Sequence, residues 1–387
     1  MMRPILSRRQ WLQNSAILGG GLLSAPLAGW AADDAPGPLP KRIAAWAEDD
    51  AIRDLAFSPD DTLLAVTCGM HAKRKFRPGK VVIREMPSGA RRAGFEVARA
   101  LATGGTFSPD GKSLAVGDWD RVLIWDVETR QMRRPPARPH WRKADSRIRS
   151  LAFDRAGEKL FAITDRGEVR FWDLETLDWL DLKELPERLS VLAGGFDPFG
   201  APLLLLQQDH WAEPFKARDP RPKGPPFGVP GQYDILLISA LSGGVRWACT
   251  SPFFSQDALI SPTGLVAVRT GLTRPKLDAQ PGDVEHAFLF TGPKGHESKM
   301  PLPERGFDSV TFSPDGSFLA TSTSGGSGPA IVDFWDVATG RNMDHFRVLF
   351  DAAGRLTFSH RGDLLAMRNG LSVEVWRLKA PALPPKG

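Results

Sequence analysis

TFSPDGKSLAV (106–116) followed by RVLIWDV (121–127) decides how this chain folds. An apolar run, a Ser-Pro-Asp-Gly turn and a second apolar run describe two antiparallel strands joined by a tight turn, and the third run adds a third strand. The unit recurs. AFSPDDTLLAV (56–66), TFSPDGSFLAT (311–321) and TFSHRGDLLAM (357–367) align with it directly. AFDRAGEKLFAI (152–163), GFDPFGAPLLLL (195–206) and LISPTGLVAV (259–268) are weaker copies. Their anchors are Phe57, Phe107, Phe153, Phe196, Ile260, Phe312 and Phe358, spaced 43 to 64 residues apart. Third strands follow in every unit, as in VRFWDL (169–174), VDFWDV (332–337), VEVWRL (373–378), VVIREM (81–86), DILLISAL (234–241) and AFLFTG (287–292).

An FSPDG-type turn followed by a strand ending in Trp-Asp, at this period, resembles the WD-repeat β-propeller family. Trp125–Asp126, Trp172–Asp173 and Trp335–Asp336 match its signature dipeptide, while Trp376 is followed by Arg377. The resemblance covers roughly 43–378. It implies an all-β fold: a seven-bladed propeller of four-stranded antiparallel blades. Such a sheet cannot cover both faces alone, so blades stack around an axis and cover one another. The last repeat lacks an outer strand after Leu378, and KRIAAWA (41–47) precedes the first repeat. Residues 41–47 are therefore expected to complete the last blade and close the ring. The propeller then spans 41–380, between a linker (32–40) and a tail (381–387). The Gly-His dipeptide that the family places about nine residues before each anchor is missing, so the bonds linking that His to the strand Trp are expected to be absent too.

The N-terminus reads as an address. Arg8–Arg9–Gln10–Trp11–Leu12 is followed by a weakly apolar run, Ala16 to Ala32, broken by Gly19, Gly20 and Gly21. Gly29 and Ala31 place small residues at −3 and −1 of a cut after Ala31. The paired arginines resemble a twin-arginine (Tat) export signal over 1–31, which implies a bacterial-type periplasmic protein that folds before crossing the membrane. No other stretch has that apolarity, so no further membrane span is expected.

Of the 387 residues, 42% are hydrophobic and 25% charged, with 38 Gly and 33 Pro, which excludes a disordered polymer, a coiled coil and a collagen-like fibre. Without residues 1–31, 47 basic residues face 45 acidic ones, a net +2. That argues against nucleic acid as a partner. Cys68 and Cys249 fall in blades that stand nearly opposite each other, beyond the reach of a disulfide, so two free thiols are expected.

No nucleophile elbow, Cys-x-x-Cys pair or phosphate-cradling Gly loop occurs. SGGSG (324–328) is a hairpin connection. Glu285, His286, His296 and Glu297 are split by a strand, and the other histidines are scattered. We therefore assign no catalytic, cofactor or metal residues from the sequence. The long connections 69–80, 207–232 and 269–286, and 130–147 between blades two and three, all belong on one propeller face. Such loops on a rigid scaffold commonly carry binding. Two of them are basic and aromatic. One holds Lys73, Arg74, Lys75, Phe76 and Arg77, the other Arg134, Arg138, Trp141, Arg142 and Lys143. Trp211 and Phe215 lie in the Pro-rich third loop. These residues are the candidates for binding a protein partner or an anionic surface, against the alternative of solvated loops that serve solubility. A monomeric, non-catalytic interaction platform is the leading expectation. A propeller enzyme of hydrolase, lactonase or redox-cofactor type, and an accessory factor for an exported redox enzyme, stay open as alternatives.

Overall fold

The computed structural model describes residues 40–69, 78–97, 102–119, 121–133, 148–164, 169–176, 178, 189–196, 201–209, 233–239, 245–251, 255–261, 266–270, 288–291, 296–298, 308–323, 329–348 and 354–378. Every regular element among them is a strand. After β1 (Lys41–Ala47), the first sheet runs β2 (Ile52–Phe57), β3 (Leu63–Cys68), β4 (Lys80–Glu85) and β5 (Arg91–Glu96). The second is β6 (Ala102–Phe107), β7 (Ser113–Asp118), β8 (Arg121–Asp126) and β9 (Met132–Arg133). The third holds β10 (Ile148–Phe153), β11 (Lys159–Thr164) and β12 (Val169–Asp173). The fourth is β13 (Leu189–Phe196), β14 (Pro202–Asp209), β15 (Tyr233–Ser239) and β16 (Val245–Ser251). The fifth is β17 (Ser255–Ile260), β18 (Val266–Thr270), β19 (Phe288–Thr291) and β20 (His296–Ser298). The sixth is β21 (Ser309–Phe312), β22 (Phe318–Thr323), β23 (Ala330–Asp336) and β24 (Asn342–Val348). The last is β25 (Leu356–Phe358), β26 (Leu364–Asn369) and β27 (Ser372–Arg377), to which β1 adds the outer strand.

The expectation of seven four-stranded blades is corrected here. Six sheets are complete, and the third has three strands among the described residues. Its hairpin turn forms as in its neighbours: Asp173 N–H donates to Asp178 O at 3.0 Å, as Asp126 N–H donates to Gln131 O at 2.9 Å. The segment that would add the outer strand, WLDLKELPER (179–188), lies outside the described residues and carries Pro186, which has no N–H for a ladder. Ring closure is as expected, with β1 antiparallel to β27 from Lys41↔Arg377 to Ala47↔Ser372.

An apolar core lies between each sheet and the next, the last sheet packing against the first. This is why strand alternation is muted in the sequence: both faces of a blade are covered. The Trp of the third strand points toward the preceding blade. Trp125 stacks on Phe95 at 5.1 Å, and Trp376 lies 4.8 Å from Phe346. Trp335 still donates through Nε1 to Thr321 Oγ1 at 2.9 Å, without any histidine relay. The Asp of the dipeptide caps the outer hairpin. Asp126 accepts the N–H groups of Glu128 and Thr129, and Asp336 accepts the N–H and the Oγ1 hydroxyl of Thr339. These bonds, the Thr129 one first, hold the Asp126 carboxyl below its usual range. In the last sheet the outer strand beside β27 is β1, and Arg377 stands where the other repeats carry the capping Asp.

The Ser-Pro-Asp-Gly turns share one bonding scheme. Ser108 Oγ accepts Ser113 N–H at 2.9 Å and donates to Asp110 at 2.6 Å, and Ser313 repeats this with Phe318 and Asp315. Gly111, Gly157, Gly316 and Gly362 take the left-handed position. In the first sheet Asp61 stands there instead, at φ 61°. Its buried carboxylate accepts His360 N–H at 2.6 Å and Arg361 N–H at 2.9 Å, with Arg361 Nε at 3.2 Å. The strained residue thus clasps the last blade to the first. Asp61→Ala is expected to cost about 3 kcal/mol in urea unfolding, and Asp61→Gly about 1 kcal/mol less because glycine relieves the left-handed backbone. A glycine variant more stable than the native protein would remove the clasp from the account.

Candidate binding face and channel mouth

The inner strands β2, β6, β10, β13, β17, β21 and β25 each begin on one face and end on the other, and β2, β6, β10, β21 and β25 end in described turns of the repeat type. Antiparallel pairing then fixes where the connections leave. Cys68 pairs with Lys80, and Asp209 with Tyr233, so β3 and β14 end on the face where β2 and β13 start. The termini of β9 and β18 point the same way by the same alternation. All four long connections therefore leave from the face where the inner strands begin.

The basic and aromatic candidates themselves, Lys73, Arg74, Lys75, Phe76, Arg77, Arg134, Arg138, Trp141, Arg142, Lys143, Trp211 and Phe215, lie outside the described residues, as do SGGSG (324–328), Glu285 and His286. Cys68 is a free, buried thiol on β3, and burial pushes it up to about 12, so it stays protonated. Cys249 lies on β16, in another sheet.

Between the inner strands runs a cavity of about 300 Å³. Its lining includes the small residues Gly104, Gly105, Thr106, Ser150 and Thr311 beside larger apolar ones such as Leu55 and Phe312. On the face of the long connections its rim carries charge. Arg355 Nε donates to Asp54 Oδ1 at 2.7 Å, and that oxygen also accepts Leu55 N–H at 2.9 Å. The Asp54 side chain is 8% exposed and that of Arg355 54%. Burial raises the Asp54 carboxyl above its usual range, against the pull of Arg355. Behind it Arg368 donates from Nη1 to Ile52 O at 2.9 Å, while its buried Nε has no hydrogen-bond partner. Burial lowers the Arg368 guanidinium, and the charges of Arg355 and Arg53 push the same way against the attraction of Asp54. Arg53 donates to Gly69 O at 2.7 Å. Among the described residues Arg355 alone is ion-paired to Asp54, while Arg368 and Arg53 donate to backbone carbonyls beside it.

Nothing in the repeat pattern singles out Arg355 or Arg368. They lie 302 and 315 residues beyond Arg53, and only ring closure brings them together. Asp308 is exposed just before β21. Among the described residues no group of three His, Cys, Asp or Glu side chains is placed to hold a metal ion, and no helix is long and apolar enough to cross a membrane. No known family model and no curated protein matches the chain. What the geometry establishes is a ring-closed β-propeller whose central cavity opens, on the face of its long connections, beside a net-positive cluster.

Proposed function

We propose that this protein is a non-catalytic binding platform that engages a partner protein or an anionic surface through the face of its long connections. The supporting observation is that the strands bracketing all four long connections end on one face, so the two basic, aromatic segments leave the scaffold from neighbouring blades on the same side. Propellers commonly mediate protein interactions, and rigid scaffolds place such loops where a partner reaches them. We further propose WD-repeat ancestry, supported by the packing of Trp125, Trp172 and Trp335 and the hairpin caps of Asp126, Asp173 and Asp336. Residues 1–31 are proposed as a twin-arginine export signal cut after Ala31, which puts the platform in the periplasm.

The test compares the chain with a variant carrying Ser at Lys73, Arg74, Lys75, Arg77, Arg138, Arg142 and Lys143. Each is used as bait in periplasmic extract and sedimented with phosphatidylglycerol or phosphatidylcholine vesicles. The expected result is a partner, or anionic vesicles, retained by the native protein and lost in the variant. N-terminal sequencing of the exported protein should begin at Ala32. Equal retention by both proteins overturns the loop-face reading, and a chromophore bound in place of any partner overturns the non-catalytic one.

A further inference from the structure

The rim of the central cavity is electrostatically incomplete. Arg355 is ion-paired to Asp54, and Arg368 lies within the field of Asp54, Arg355 and Arg53, so among the described residues one bonded carboxylate stands against three guanidinium groups. A partly buried donor ordinarily finds an acceptor. Arg368 Nε is a buried donor with no acceptor. Only the Nε of Arg355 is engaged by Asp54, its side chain is half exposed, and it lines the cavity. A guanidinium is a planar fork that matches a carboxylate at two points, so this one keeps donors for a second carboxylate beside the first. On the neighbouring blade the lining includes Gly104 and Gly105, which carry no side chain into the cavity. Below the rim, Thr106, Ser150 and Thr311 offer hydroxyl donors and no further charge.

We propose that the channel mouth is a carboxylate-binding site, with Arg355 as the principal contact and Arg53 and Arg368 supplying the field. The occupant is either a small free dicarboxylate or an acidic side chain or chain terminus of a bound protein, and the two sources share this chemistry. The site is built on β2 of the first blade and, in the last blade, on β26 and the residue before β25. It needs none of the basic segments invoked for the loop face, so either reading can fail while the other stands.

The experiment is calorimetric titration of the full chain at low ionic strength with three probes: glutarate, an acidic hexapeptide with a free C-terminus, and inorganic phosphate. Saturable binding of glutarate identifies a free-dicarboxylate site, and binding of the peptide alone identifies a protein-borne carboxylate. Glutaramide should not bind. Arg355→Gln, at an exposed position that should leave folding intact by circular dichroism, is expected to weaken the carboxylate probe about tenfold, the loss of a charged hydrogen-bond pair. Asp54→Asn removes the competing carboxylate and is expected to tighten it. The variant with Ser at the seven loop positions should bind glutarate or peptide as the native protein does. The proposal is overturned if neither carboxylate binds, if phosphate alone binds, or if Arg355→Gln binds like the native chain.

Discussion

Gly194→Ala is expected to cost about 3 kcal/mol and to lower the thermal midpoint by roughly 5–10 °C. Gly194 lies on β13, pressed against the third sheet. A Cβ built there would overlap Phe161 Cε1, lie 2.5 Å from its Cζ and sit 2.7 Å from Ile163 Cδ1. Neither neighbour has freedom to yield. Both are 1% exposed, and the Phe161 ring lies 6.3 Å from those of Phe171 and Phe196. Overpacking a dense core forces off-rotamer side chains or backbone shifts, and here a rigid ring takes the overlap. The next residue is the control. A Cβ at Gly195 would meet Ile260 Cβ at 3.5 Å, an ordinary contact, so Gly195→Ala should change stability by less than about 1 kcal/mol. Adding Phe161→Leu to Gly194→Ala should recover part of the loss, because the two sites are in contact and not independent. Equal melting curves for the two alanine variants would show that the interface between the third and fourth sheets is looser than its geometry.

The repeating part of this architecture was legible because it repeats. The turn Ser, the left-handed Gly, the buried Trp and the capping Asp recur at fixed register, and their bonds fall where that register puts them. What escaped was everything belonging to one place in the ring. Asp61 looks like a degenerate turn residue until His360 and Arg361 are brought to it from the far end of the chain. Arg377 looks like a damaged motif until β1 is seen to replace the hairpin its Asp would have capped. Arg355 and Arg368 were silent because a single charged residue at a strand edge carries no periodic signal, and its meaning depends on a partner 301 or more residues away. The third sheet has three strands among the described residues, and the segment that would follow, 179–188, carries a Pro.

The seam should be the other point of large effect: Glu48→Ala is expected to destabilise the propeller by about 3 kcal/mol. In the register of the repeats Arg84 stands where Trp125 and Trp335 stand, opposite Leu64 as they are opposite Leu114 and Leu319. No indole fills that place. The Arg84 guanidinium lies over the Trp46 ring at 5.0 Å, and its Nε donates to Glu48 Oε1 at 2.7 Å. The same carboxylate oxygen accepts Trp46 Nε1–H at 3.1 Å, and Gly89 leaves room for that indole, since a Cβ there would lie 2.9 Å from Trp46 Cε3. One carboxylate therefore ties the closing strand to the first blade, while Glu48 N–H bonds Leu371 O of the last. Alanine at 48 leaves a mostly buried guanidinium without its counterion, which costs more than the pair itself contributes. Glu48→Gln keeps both acceptances and loses only the charge, so it should fall between. Replacing both partners, Glu48→Leu with Arg84→Met, should recover most of the stability of the single alanine variant, because no charge is then stranded. Denaturant unfolding measures the series, and limited proteolysis reads its cause. The alanine variant should be cut first between β1 and β2, releasing the closing strand before the blades unfold. Cleavage elsewhere at the same rate as in the native chain would mean that the ring is held by its inter-blade cores alone.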